Sequence, residues 1–239
     1  MSQKKTKAPD ELQKVQSALG KSEAFIEKHI KELGIAMGVI AVVILGIFVV
    51  RNYYLAPREL KAQEQIFRGE MYFAIDSFQL AIDGNGVDFM GFKSIINNYG
   101  STRTANLAKA YTGVSYYKLG DYKNALKYLE DFNAKDQFIA PALIGLIGDC
   151  YVEFGDVNKA ISYFKKAAKV DNDVVSPIFL KKLAIAYESQ GKYDEAIKNY
   201  TLIRDKYFNS QEASDIEKYI ARAEFLKRWF GYPLIWLFV

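Results

Sequence analysis

The apolar positions of the chain follow two patterns. From Leu33 to Val50 it reads LGIAMGVIAVVILGIFVV, eighteen residues without a charge. At about 1.5 Å per residue such a helix is roughly 27 Å long, enough to cross a hydrocarbon core with little tilt. Further on, apolar and small residues recur three and four apart on either side of Gly120, Gly155 and Gly191, glycines spaced 35 and 36 residues apart. That is the spacing of one helix face interrupted at a turn, so the pattern predicts helix hairpins behind one membrane-spanning helix.

The hairpins repeat in detail. GDYKNALKYL from Gly120 returns as GDVNKAISYF from Gly155 and as GKYDEAIKNY from Gly191. Seven residues before each glycine stands a small residue, Gly113, Gly148 or Ala184, and four before it a tyrosine, Tyr116, Tyr151 or Tyr187. The small residue lets a second helix approach, and the ring lies on the same face about one turn further on. The glycine falls where a helix ends, because a left-handed backbone costs a residue without Cβ little. After it, Tyr122, Val157 and Tyr193, then Ala125, Ala160 and Ala196, then Leu129, Phe164 and Tyr200 give the second helix one packing face. Ser176-Pro177 reads as an N-cap followed by proline at the first helical position, and Pro141 holds the same place one unit earlier.

A weaker copy precedes these. Anchored on Gly69, it has Ala62 seven before and Met71, Ala74 and Phe78 after, but Gln65 where the tyrosine should stand. Between it and the first clear copy lie DGNG, Asp83 to Gly86, and a short helix expected around Phe92 to Asn98. Ile95, Tyr99, Thr102 and Ala105 share the spacing of Ile203, Tyr207, Ser210 and Ala213, so both segments read as the end of one hairpin entering the next helix.

These residues resemble the tetratricopeptide repeat (TPR), a helix–turn–helix unit of about 34 residues. The resemblance implies an all-α fold, a right-handed TPR solenoid behind one transmembrane helix. The expected domains are a cytoplasmic amphipathic tail at 1–32, the anchor at 33–50 and the solenoid at 55–227. Within the solenoid they are an atypical repeat at about 55–83, an inserted helix at 88–100, repeats at 106–139, 141–174 and 177–209, and a closing helix at 210–227. The last segment, WFGYPLIWLFV at 229–239, is too short to span and is broken by Gly231 and Pro233; it is assigned no function.

The ends of the span set the topology. Lys21, Lys28 and Lys31 before it match Arg51, Arg58 and Lys61 after it, but the short tail adds Lys4, Lys5, Lys7 and Lys14. Positive charge in short tails governs orientation, which keeps the tail inside and puts the repeats outside the cytoplasm. A cleaved signal peptide is the rival, disfavoured because the run is long, starts late and is followed by RNYYLAPREL, without a small-x-small cleavage site. Gly34 and Gly38 form a GxxxG suited to close approach of another helix. Lys7, Lys14, Lys21 and Lys28 lie opposite Leu12, Val15, Leu19, Ile26 and Ile30, an amphipathic helix that Asp10 would cap. It suits a membrane surface, a partner helix or simply a solvated basic face.

Composition narrows the chemistry. A net charge of +4 with interleaved acids gives no case for nucleic acid. The single cysteine, Cys150, makes no internal disulfide and reads as a buried small hydrophobe. One histidine, His29, and the lack of a phosphate loop leave no metal cluster, triad or cofactor site, and Asp149 with Glu153 reads as a groove-lining or solvated pair. The chain is therefore not expected to be an enzyme.

A surface remains. The concave side of such a solenoid is lined by the first helices. On the TPR register the inward residues are Leu107, Ala110, Val114 and Tyr117, then Gly145, Asp149, Val152 and Glu153, then Lys181, Ile185 and Glu188. TPRs that clamp carboxylate tails need basic and asparagine side chains in columns occupied here by Ala110, Val114 and Asp149, so an acidic C-terminal tail is not the expected ligand.

Tail, span and repeats together resemble the bacterial inner-membrane TPR proteins that accompany the Sec translocon. That resemblance implies an adaptor with its TPR domain in the periplasm, passing exported chains to envelope chaperones. Two alternatives stay open: a scaffold self-associating through Gly34 and Gly38, and a cytosol-facing docking receptor.

Overall fold

A computed structural model of the chain describes the backbone of residues 8–230 and the side chains of residues 27–229. Among these residues there is no strand. The chain divides into two units, 1–57 and 58–239.

The first unit is helix α1 (Ala8–Val49), bent at His29, followed by a π-helical segment (Val50–Leu55). Asp10 is not a cap: it is the third residue of α1, which begins at Ala8. The side chains of Lys7, Lys14 and Lys21 and most of the opposite apolar stripe lie outside the described residues, as do the side chains of the 229–239 segment beyond Trp229. Ile35, Met37, Val42 and Ile47 are each more than 60 % exposed. A helix this apolar without protein cover is a candidate membrane span.

The second unit is a succession of antiparallel helices. It comprises α2 (Ala56–Ala74), α3 (Phe78–Asp83), α4 (Phe92–Tyr99), α5 (Arg103–Lys118), α6 (Tyr122–Glu130), α7 (Ile139–Glu153), α8 (Val157–Ala168), α9 (Val175–Ser189) and α10 (Tyr193–Lys206). A 3₁₀ turn (Gln211–Asp215) leads into α11 (Ile216–Phe230).

The three clear repeats are the hairpins α5/α6, α7/α8 and α9/α10. Each turn has the same hydrogen bonds: Gly120 N–H donates to Tyr117 O and Asp121 N–H to Tyr116 O, with the corresponding bonds at Gly155 and Gly191. All three glycines have φ between 69° and 78°, the left-handed region that closes a helix. Inside each hairpin, a Cβ added at Gly113 would lie 2.6 Å from Leu129, and one at Gly148 2.6 Å from Phe164. Ala184, in the same place, is fully buried.

The first hairpin corrects the sequence reading. Gly69 is not its turn: α2 runs straight through it to Ala74. The turn lies at Asp76, φ 58°, where Asp76 N–H donates to Phe73 O and Ser77 N–H to Tyr72 O, as at the three glycines. Gly69, Tyr72, Asp76, Phe78 and Ala81 are therefore the counterparts of Gly113, Tyr116, Gly120, Tyr122 and Ala125. Gly69 is the close-approach residue, and a Cβ there would lie 2.3 Å from the Phe92 ring. Its second helix is split: α3 stops at Asp83, residues 84–91 loop out, and α4 resumes the run. Asn85 Oδ1 holds that loop by accepting from the N–H groups of Val87, Asp88 and Phe89.

The helix starts also differ from expectation. Ser176 does not cap α9, which already begins at Val175; Asn172 Oδ1 accepts from Val174 and Val175 N–H, and Ser176 Oγ accepts from Asn172 N–H. Asp136 does the same for α7, accepting from Phe138, Ile139 and Ala140 N–H. Pro141 and Pro177 thus stand third in their helices, still among positions without an intrahelical partner. Thr102 and Ser210 share one geometry: each side-chain oxygen accepts from the N–H three residues on, Ala105 and Ala213.

The core follows the hairpins, passing from Ile66, Phe92 and Ile95 through Leu129, Leu143 and Cys150 to Phe164, Phe179 and Tyr200. Burial pushes the Cys150 thiol up to about 12, which leaves it a neutral packing group.

Candidate functional site

The first helices α5, α7, α9 and α11 form one wall of the second unit, the side on which the sequence places the binding groove. Ala110 and Gly145 do not line it. Ala110 is buried, and a Cβ at Gly145 would sit 1.8 Å from the Phe179 ring, so this glycine is a contact between α7 and α9. Leu107, Val114 and Tyr117 are half-buried on α5. Val152 and Ile185 are each 44 % exposed, and Glu153 is exposed.

Three of the predicted wall residues are engaged between layers. Lys182 Nζ pairs with Asp149 at 2.6 Å, Lys181 with Asp215 at 2.7 Å, and Arg222 with Glu188 at 2.5 Å. Each pair joins one first helix to the next element of the wall. Lys182, Asp215 and Arg222 were not among the sequence-predicted residues; pairing across layers follows the 33–34-residue separation of the partners, a signal weaker than the small-residue pattern.

Two groups along the wall stay open. Tyr117 and Tyr122 stand with ring centroids 5.6 Å apart, and Tyr122 and Phe154 6.4 Å apart. Burial, then the Asp149 carboxylate, with a smaller contribution from Glu153, raises the Tyr117 hydroxyl above its ordinary value. Beside them lies a cleft of about 260 Å³ lined by Asp149, Val152, Val157, Phe164, Lys182, Ile185, Ala186 and Ser189. Sequence-predicted Asp149, Val152 and Ile185 meet there; Leu107, Lys181 and Glu188 do not line it.

The repeat tyrosines play a packing role. Tyr116 stacks on Tyr128 at 5.7 Å and Tyr151 on Tyr163 at 5.4 Å, while Tyr187 is buried. The hydroxyls of Tyr151 and Tyr163 both donate to Glu130 Oε1, tying two repeats together, and burial with the Glu130 charge pushes the Tyr163 hydroxyl up to about 12. On α1, a Cβ added at Gly34 or Gly38 meets nothing within 4 Å.

Family models of the tetratricopeptide repeat match residues 111–136, 142–174 and 182–210, the segments that hold the three clear hairpins. The chain carries tetratricopeptide repeats. Two solved structures are similar to it in fold. The TPR-like repeats of the Podosopora anserina putative kinesin light chain share 13% identity with a TM-score of 0.53, covering 72% of this chain and 89% of that one. The MamA protein shares 17% identity with a TM-score of 0.51, covering 73% and 97%. Identities this low show the fold alone. No curated protein matches the chain. A TPR array is typically a protein-interaction scaffold rather than a catalyst, and this chain is accordingly an interaction adaptor.

Proposed function

We propose that the protein is a membrane-attached adaptor of protein export, whose α1 apolar segment anchors it and whose TPR wall holds segments of exported chains for transfer to envelope chaperones. The observation that carries the reading is that one chain joins an exposed, charge-free stretch, 33–50, to a repeat unit whose wall carries a mainly apolar cleft at Asp149, Val152 and Ile185. Extended segments bind such surfaces through apolar anchors rather than through one charged clamp. The excess of lysines before the span supports a cytoplasmic N-terminus and a periplasmic repeat domain.

Protease added to intact spheroplasts and, separately, to inverted inner-membrane vesicles tests the placement. The reading expects the 58–230 region to be digested in spheroplasts only, and the mildly solubilised protein to co-purify with translocon subunits. Digestion in inverted vesicles only would reverse the topology and make the protein a cytosol-facing docking receptor.

A further inference from the structure

We infer that the α7–α9 part of the wall selects basic segments: a bulky apolar side chain seated in the Val152/Ile185 cleft, with a flanking lysine or arginine against Glu153 and the adjoining aromatic rings. This deepens the adaptor reading and rests on its assignment of the first-helix wall as the binding face.

Three observations carry it. The cleft volume, about 260 Å³, fits one large aliphatic or aromatic side chain, and its floor and sides are apolar through Val157, Phe164 and Ile185. Helix α7 carries Asp149 and Glu153 and no lysine or arginine. The charges around the cleft are unequally available: Lys182 is held by Asp149 and lies 6.0 and 5.7 Å from the Phe164 and Phe179 ring centroids, and Glu188 is held by Arg222. Glu153 is exposed and, among the described residues, makes no ion pair. It follows Val152 directly, lies one helical turn from Asp149, precedes Phe154 in the chain and acts electrostatically on Tyr117, whose ring adjoins that of Tyr122 and through it Phe154. An ammonium or guanidinium placed there meets a carboxylate and π-faces together, both of which attract cations. The anchor and the cation then belong to neighbouring residues of one segment. An acidic segment would bring its charge against Glu153 and is disfavoured on the same ground.

The test uses the full-length protein in nanodiscs and two fluorescein-labelled dodecapeptides. Both have one central phenylalanine among serines and glycines; one flanks it with two lysines, its twin with two glutamates. The lysine peptide is expected to bind at least about tenfold more tightly at low salt, a preference that shrinks as ionic strength rises. Glu153→Lys is expected to reverse it, and because Glu153 is exposed and holds no ion pair among the described residues its melting temperature should stay close to the parent's. Ile185→Ser should weaken the lysine peptide about tenfold, and replacing the peptide's phenylalanine by serine should then add little further loss. Equal binding of the twins, or a preference that survives Glu153→Lys, overturns the inference. Failure of the parent to bind the lysine peptide overturns it too. Crosslinks from the same wall in membranes would then still uphold the broader adaptor reading.

Discussion

The first hairpin, α2 with α3 and α4, and the later hairpins, α5 to α10, solve one geometric problem with different residues. All four turn through the same pair of backbone hydrogen bonds, but three use a glycine at the left-handed position and the first uses Asp76. The close-approach site is glycine just as often but admits a different exception: Gly69, Gly113 and Gly148 are all glycine, and the fourth is Ala184. An aspartate tolerates the left-handed region, because its short side chain bonds locally, whereas nothing larger than a methyl fits between crossing helices. The interface between helices is therefore the stricter constraint, and the turn the looser one.

That contrast can be broken by substitution. The largest effect is expected at Gly69: Gly69→Asn drives a side chain into Phe92 and should cost about 2 kcal/mol, while Gly120→Asn, at a left-handed turn, should cost well under 1 kcal/mol. Urea unfolding of both variants decides it, and equal costs would restore Gly69 as the turn.

Next comes the device by which α2 fixes the start of α5, the first helix of the next repeat. Glu59 accepts from the N–H groups of Arg103 and Thr104 and from the Thr104 hydroxyl. Glu59→Ala should cost about 1 kcal/mol. Burial would raise the Glu59 carboxyl, but these hydrogen bonds, led by that of the Thr104 hydroxyl, hold it below its ordinary value. A depressed folded-state value gives stability that is present above the unfolded value of 4.5 and is lost as pH falls through the folded one. Between pH 6 and about 3 the parent should therefore lose more stability than Glu59→Gln does, read as the gap between their denaturation midpoints.

A smaller gain is expected from Asp76→Gly, about 0.5 kcal/mol, since it relieves the one non-glycine turn of the four. Smallest is Lys181→Met, which removes the Asp215 pair and should cost no more than about 0.5 kcal/mol, less at high salt.

The sequence showed the solenoid clearly, and the reason lies in these constraints. Crossing helices and left-handed turns each leave glycine or alanine at a fixed spacing, so the hairpins from Gly113 to Tyr200 could be read in order. The first hairpin was displaced by seven residues because the repeat holds two small positions seven apart, and Gly69 fills one while Asp76 fills the other. The caps were displaced for a similar reason: Ser-Pro resembles a helix start, yet Asp136 and Asn172, 36 residues apart like Gly155 and Gly191, hold that place. The wall was legible only as a set of positions. Which of its charges remain open depends on pairs such as Asp149 with Lys182, set by the distance between layers and invisible to periodicity along one helix.

The central claim, that the first-helix wall is where this chain holds other proteins, is tested most directly by photo-crosslinking in intact cells. A benzoylphenylalanine is placed at Tyr117 or Ile185 on the first helices, and at Lys127 or Lys198, exposed on α6 and α10. Specific adducts from Tyr117 and Ile185, absent from Lys127 and Lys198, are the predicted result. Adducts of equal yield from both pairs, or from Lys127 and Lys198 alone, would contradict it.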